Sequence, residues 1–393
     1  MPKIFSKALN TSISTDRIIG KMGGEGPCVV FFGGIHGNEP SGVFALKQVF
    51  EELERSQVKT QGQFIGLAGN LWALERNERF QHEDLNRMWN SERIQAMKEG
   101  NFHPKTEDEK QQLSLFSTLV EIINNHSGPY YFFDLHTTSS ETTPFLTVND
   151  SLLNRQFCEQ YPVPMILGIE EYLDGPLLSY LNEEGYVSFG FESGQHDELS
   201  SINNHVSFIY LSLVFAGVLD ASDINFQHHL ASIEHSNSIY EIFHRHQLSS
   251  NESFQMTPGF SNFERVKKGT QLAVSNGVPI IAAENTTLFM PLYQPKGEDG
   301  YFEIRVVPKI FLRLSTLFRL LRLDRILPYL PGISWTTSQK ESLKIDLKIA
   351  RFLAKSILHL MGYRSKTENG GYLIAKNREA RSRSSEYKGA RWL

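Results

Sequence analysis

The run Cys28-Val29-Val30-Phe31-Phe32, closed by Gly33-Gly34 and followed by an amphipathic stretch from Ser41 to Leu53, is the feature that most restricts the fold. The apolar run reads as a strand buried on both faces and the glycine pair as a turn. Val43, Phe44, Leu46, Val49 and Phe50 form the apolar stripe of a helix. Further strand candidates at Phe64–Ala68, Tyr130–Leu135, Met165–Ile169 and Val187–Phe191 alternate with helix candidates at Glu107–Asn125 and Asn203–Leu219. Such alternation predicts an α/β sheet with helices on both faces. The long polar connection over 70–105 reads as a functional loop.

Polar residues sit where this architecture gathers ligands. His36 and Glu39, in Gly33-Gly34-Ile35-His36-Gly37-Asn38-Glu39, lie in the strand-to-helix connection. Open α/β sheets bind ligands there, outside the carboxyl ends of their strands. His136, in Phe132-Phe133-Asp134-Leu135-His136, ends a second apolar run and reaches the same edge if the strands are parallel. A lone His-x-x-Glu arises often by chance, and a strand-end histidine more often bonds backbone. The agreement of three placements is what argues for a site. Two imidazoles and a carboxylate can hold one zinc ion with a position open. Zinc so held brings the pKa of a bound water to about 7 and polarises carbonyl oxygens, which is the chemistry of amide or ester hydrolysis. Asp134, on the same strand face as His136, could orient its imidazole.

Four segments together resemble the succinylglutamate desuccinylase/aspartoacylase family of zinc carboxypeptidase-like hydrolases. They are Gly33–Glu39, Arg79 with Asp84-Leu85-Asn86-Arg87, Asp134-Leu135-His136-Thr137-Thr138, and Gly190-Phe191-Glu192-Ser193-Gly194. The resemblance spans roughly residues 28 to 303. It implies a zinc carboxypeptidase-like mixed sheet and one Zn2+ per chain on His36, Glu39 and His136. It further implies Glu192 as general base, Arg79 as carbonyl-polarising group, and Asn86, Arg87 and Tyr301 as substrate-binding residues. A carboxylate near the metal can take a proton from water and pass it to the leaving nitrogen. An arginine can pair a substrate carboxylate through two hydrogen bonds. Near a carbonyl it can stabilise a developing oxyanion. One departure bears on the substrate. Aspartoacylase proper has a further arginine ten residues before its catalytic glutamate, and here that position is Asn182.

The implied activity is zinc-dependent deacylation of a small N-acyl amino acid or related amide. A metallocarboxypeptidase acting on short peptides, or a membrane-tethered binding protein, are the other readings. The chain divides into a catalytic domain over 1–225, a small β domain capping the active site over 226–303, and an extension over 304–393. The short strands and turns of the middle part, such as Ser275-Asn276-Gly277, mark the change. Charge separates the extension: it carries 19 Lys and Arg against 6 Asp and Glu, whereas residues 1–303 carry 20 against 38. Lys309–Leu323 and Ser342–Met361 read as basic amphipathic helices, and Asn377–Lys388 as disordered. The helices either pack on the acidic body or a sister subunit, or lie on an anionic membrane. Two cysteines, Cys28 and Cys158, make no disulfide framework, and Met1–Lys21 lacks the apolar core of a signal peptide. The expected location is therefore cytoplasmic, with peripheral membrane association through the tail as a further possibility. The acidic body carries no nucleic-acid recognition motif. The apolar run Val206–Leu219 is too short to span a bilayer and reads as a buried helix.

Overall fold

The computed structural model describes the chain apart from residues 250, 337, 339, 351–354 and 368–370. The parallel strands Gln63–Ala68, Cys28–Gly33, Tyr130–Thr138 and Val187–Gln195 lie side by side in that order and are buried almost throughout. Ile18–Gly23 adds an antiparallel edge beside Gln63–Ala68. On the other side, Phe145–Val148 pairs antiparallel with Val187–Gln195 and parallel with Met165–Leu167, making the sheet mixed. Strand alternation splits the core in two. Phe31, Phe133 and Phe189 face the helices Ser41–Ser56 and Leu199–Phe215, where Phe191 stacks on Phe208 at 4.1 Å. Val30, Phe32 and Phe132 face Leu115, Phe116 and Leu119 of the helix Glu107–Asn124. The fold is thus α/β, a mixed sheet flanked by helices.

The middle part of the chain continues this sheet rather than standing apart from it. Ile239–Gln247 pairs parallel with Met165–Leu167, and Asp299–Val306, Thr286–Phe289 and Arg265–Val266 follow outward in antiparallel order. A separate three-stranded sheet, Phe254–Met256, Gln271–Ser275 and Val278–Ile281, rests beside them. The stretch 70–105 is also more ordered than a loop: it holds the helices Leu71–Arg76 and Ser91–Lys98 and a 3-10 turn at Leu85–Arg87.

The extension differs most from expectation. Lys309–Leu320 is a helix, but Ser342–Asp346 is a strand, and the helix after it covers only Lys355–Leu360. Part of the intervening segment lies outside the described residues. The reason is local: Leu343 and Ile345 alternate with Lys344 and Asp346, a period of two that fits a strand. This strand joins Ile333–Trp335, Tyr372–Asn377 and Tyr363–Thr367 in a four-stranded antiparallel sheet with its own apolar core. The end beyond it, expected to be disordered, is docked on the body. Arg378 pairs with Glu170 and Glu171 at 2.9 Å each, and Val187 donates its N–H to the Tyr387 hydroxyl at 3.0 Å. A charge-rich composition hid Arg378's buried carboxylate partners. No helix among the described residues is long and apolar enough to cross a membrane, and Leu199–Phe215 is a core helix. Both cysteines are buried and free, and burial pushes the Cys28 thiol up to about 12.

Candidate metal centre

The site forms where three parallel strands end. In the ladder, His136 stands directly opposite Glu192, and Gly33 opposite Leu135, so the His36–Glu39 connection leaves beside His136. That connection can turn so tightly because of two glycines. Gly34 takes φ +71°, and a Cβ at Gly37 would lie 2.1 Å from the Ala73 carbonyl carbon. The next segment is fixed from below by a carboxylate that the sequence did not single out. Asp108, buried in the first turn of Glu107–Asn124, accepts the backbone N–H groups of Gln81, His82 and Glu83 at 3.1, 2.7 and 3.1 Å. It also accepts the Asn70 amide at 2.8 Å, and so holds the stretch between Arg79 and Asp84.

His36, Glu39 and His136 are all buried, and one donor atom from each lies within 4.8 Å of the others. The Nδ1 atoms of His36 and His136 face the two oxygens of Glu39 at 3.0 and 3.1 Å. Their Nε2 atoms point away, 2.9 Å from Asp84 and 2.7 Å from Asp134. A carboxylate only accepts, so each Nε2 can keep its proton on Asp84 or Asp134, and a cation at the centre would take the place of the Nδ1 protons, leaving each Nδ1 lone pair free to bind it. This is the carboxylate–histidine pairing that orients imidazoles on metals. The expected role of Asp134 thus has its geometry, while Asp84, visible only as part of Asp84-Leu85-Asn86-Arg87, does the same for His36.

The electrostatics call for positive charge at this point. Burial favours the neutral forms of Glu39 and Asp84, but the neighbouring histidines, with Arg79 for Asp84, outweigh it and hold both carboxyls well below the usual range. Burial likewise works against charge on His136, yet Asp134 and Glu39 raise it well above an ordinary histidine. Glu192 goes the other way. Burial, only partly offset by His136, pushes it up to about 8 with Glu39 and Asp134 adding to the rise, and its Oε2 has no hydrogen-bond partner. Four buried carboxylates around two imidazoles and one arginine match a divalent cation, and two nitrogens with one oxygen suit zinc.

The remaining expected site residues divide. Arg79 reaches Glu39 at 3.1 Å and Asp84 at 3.3 Å, beside the centre. Asn86 and Arg87 line the same pocket. Asn86 accepts the Leu177 N–H at 3.0 Å, and Arg87 pairs with Asp299 at 3.4 Å and Glu298 at 3.5 Å. Tyr301 does not reach the pocket. Strand alternation turns it to the face opposite Phe302, where it is buried and stacks on His246 at 5.2 Å. Phe302 and Asp299 line the pocket instead, with Ile169, Leu173, Leu178, Met290 and Leu292. Asn182 is not among the lining residues; its amide approaches the Tyr186 carbonyl at 3.5 Å.

Residues 25–174 match the succinylglutamate desuccinylase/aspartoacylase catalytic domain. A succinylglutamate desuccinylase of Pseudomonas fluorescens is 37% identical over 57 residues, covering 14% of this chain and 17% of that protein. The alignment therefore spans about a sixth of that curated relative. The fold likeness reaches further. A succinylglutamate desuccinylase from Vibrio cholerae superposes with a TM-score of 0.52 at 16% identity, over 72% of this chain and 82% of that one. A succinylglutamate desuccinylase/aspartoacylase from Rhodobacter sphaeroides does so with a TM-score of 0.52 at 18% identity, over 73% and 88%. The strand-end motifs and the matched catalytic domain agree: residues 25–174 resemble the succinylglutamate desuccinylase/aspartoacylase catalytic domain, and the superpositions show that the chain shares the fold of such proteins over most of its length.

Proposed function

We propose that this protein is a zinc-dependent hydrolase that removes the acyl group from a small N-acyl amino acid or related amide. The observation that carries the reading is the pair of imidazoles whose Nδ1 atoms converge on Glu39 while Asp84 and Asp134 fix their far nitrogens. His36, Glu39 and His136 would hold the ion, which when bound acidifies water and polarises the scissile carbonyl. Glu192 fits a proton carrier between water and the leaving nitrogen, because it lines the pocket beside His136 and its buried Oε2 has no hydrogen-bond partner. The Arg79 guanidinium is oriented by Glu39 and Asp84 and is suited to steady negative charge as it develops on the carbonyl oxygen.

Pocket chemistry narrows the substrate class. Arg87, the group suited to a substrate carboxylate, is shared with Asp299 and Glu298, and Asp299 also pairs with Arg245 at 2.5 Å. An incoming carboxylate must compete with both acids. The opposite wall, with Leu173, Leu178, Met290 and Phe302, is apolar. This arrangement favours an apolar acyl chain over a dicarboxylic one. The test is amine release by zinc-loaded protein from N-acetyl, N-succinyl and longer-chain N-acyl amino acids, with short peptides alongside. Preferential cleavage of the longer acyl chains supports the reading. Cleavage of peptides alone would make the protein a carboxypeptidase.

A further inference from the structure

The helix Lys309–Leu320 turns its apolar side away from the protein. At 3.6 residues per turn, Leu312, Ser315, Thr316 and Arg319 share one side, and they are the residues that meet the body: Ser315 and Arg319 are buried, Leu312 and Thr316 half-buried. The other side presents Ile310, Phe311, Leu314, Leu317, Leu320 and Leu321, each between 37% and 70% exposed. A surface helix ordinarily does the reverse, burying its apolar stripe. The inversion is held by ion pairs, with Leu312 alone of the helix's leucines packed on the main core. Arg319 bonds the Asp150 carboxylate at 2.7 Å, the Asp150 carbonyl at 2.8 Å and Glu379 at 3.2 Å. Ile326 and Tyr329, in the turn that follows the helix, are also exposed, at 57% and 89%.

Charge on the helix and the turn after it is almost all of one sign, although the exposed Glu159 of the body borders the groove beside Leu317 and Leu320. Lys309, Arg313, Arg322 and Arg325 are exposed along the helix and turn. The one acid between 304 and 331 is Asp324, whose carboxylate accepts from the Tyr363 hydroxyl at 3.0 Å. We propose that this face is a peripheral docking site for a membrane surface bearing anionic lipid. The leucines, Ile310 and Phe311 would enter the boundary of the acyl chains, and the four cations would meet headgroups. A 12-residue helix rises about 18 Å and lies on a bilayer rather than crossing it. A second copy fits less well, since a two-fold contact sets this basic face against its own like. The inference is independent of the proposed catalytic activity.

The experiment is co-sedimentation of the full-length protein with vesicles of phosphatidylcholine alone and of phosphatidylcholine mixed with phosphatidylserine. Binding to the mixed vesicles should be at least ~10-fold tighter than to neutral ones and should weaken in high salt. The double substitution Leu314→Glu with Leu317→Glu, at exposed positions, should lower it at least ~10-fold with circular dichroism and melting unchanged. Arg313→Glu with Arg322→Glu should do the same through charge, which keeps the test open if the leucine variant misfolds. Three results would overturn the proposal: no binding of folded protein to mixed vesicles at low salt, equal binding to neutral ones, or unchanged binding by both variants. So would a dimer, measured by sedimentation equilibrium, that the leucine substitutions dissolve, because it would assign the face to self-association.

Discussion

At the scale of single residues, the centre depends on carboxylates that never touch a ligand's metal-facing atom. Asp84 and Asp134 hold the Nε2 atoms of His36 and His136, so Asp84→Ala should weaken zinc binding by about 10–100-fold. Competition with a chelator measures this, and wild-type affinity would show that Asp84 serves only Arg79. Glu192 has a different place: it stands opposite His136 in the ladder with a free oxygen. Glu192→Gln should keep the metal and lower hydrolysis by at least ~10²-fold, the lower range for acid–base assistance. Full activity in that variant would point to another base. The positions of His36, Glu39, His136, Glu192 and Asp134 at the strand ends could be read in the sequence because each lies at or just beyond an apolar run. Tyr301 could not be placed that way. Its strand alternates faces, and one position's difference from Phe302 decides between pocket and core. Arg87's acidic partners, Glu298 and Asp299, lie more than two hundred residues away, and no local pattern announces them.

At the scale of elements, the site depends on segments gripped from outside it. The backbone N–H groups of Gln81, His82 and Glu83 all end on Asp108, the charged hub of the connection between Arg79 and Asp84. Removing a buried charged acceptor leaves those donors unpaired, at roughly 1–3 kcal/mol each. Asp108→Ala should therefore lower the denaturation midpoint and also reduce hydrolysis, although it lies outside the pocket lining. Unchanged activity would mean that the connection keeps its shape without the grip. The strands and helices of the sheet were legible because buried parallel strands are continuous apolar runs. Phe145–Val148 escaped that reading, being only four residues long. Ser342–Asp346 was hidden inside a stretch whose basic and apolar residues also suit a helix, until Leu343 and Ile345 are seen to share one buried face.

At the scale of the whole molecule, a buried ionic cluster ties the extension to the body. Asp150 meets Arg155, Arg319 and Arg378, and Arg378 also holds Glu170 and Glu171. Burial alone would raise the Asp150 carboxyl, but the three arginines outweigh it and hold it below the usual carboxylate range. A depressed folded pKa contributes stability that is fully present above the unfolded value of about 3.9 and is lost as pH falls through the folded value. Asp150→Asn should thus lower stability at neutral pH and flatten the loss seen below about pH 4. Urea midpoints across that range check it, and parallel curves for the two proteins would deny Asp150 the linking role. The extension's charge contrast with residues 1–303 was plain in the sequence, but its partners were not, because composition does not say which acids an arginine reaches when folded.

The central claim, that the strand ends form a single catalytic zinc centre, is tested most directly by titrating zinc into the metal-free protein and counting bound ions. One zinc per chain in the wild type, and none retained by His36→Ala at stoichiometric concentration, is the predicted result. A wild-type protein that binds no zinc, or a His36→Ala variant that still holds one, would contradict it.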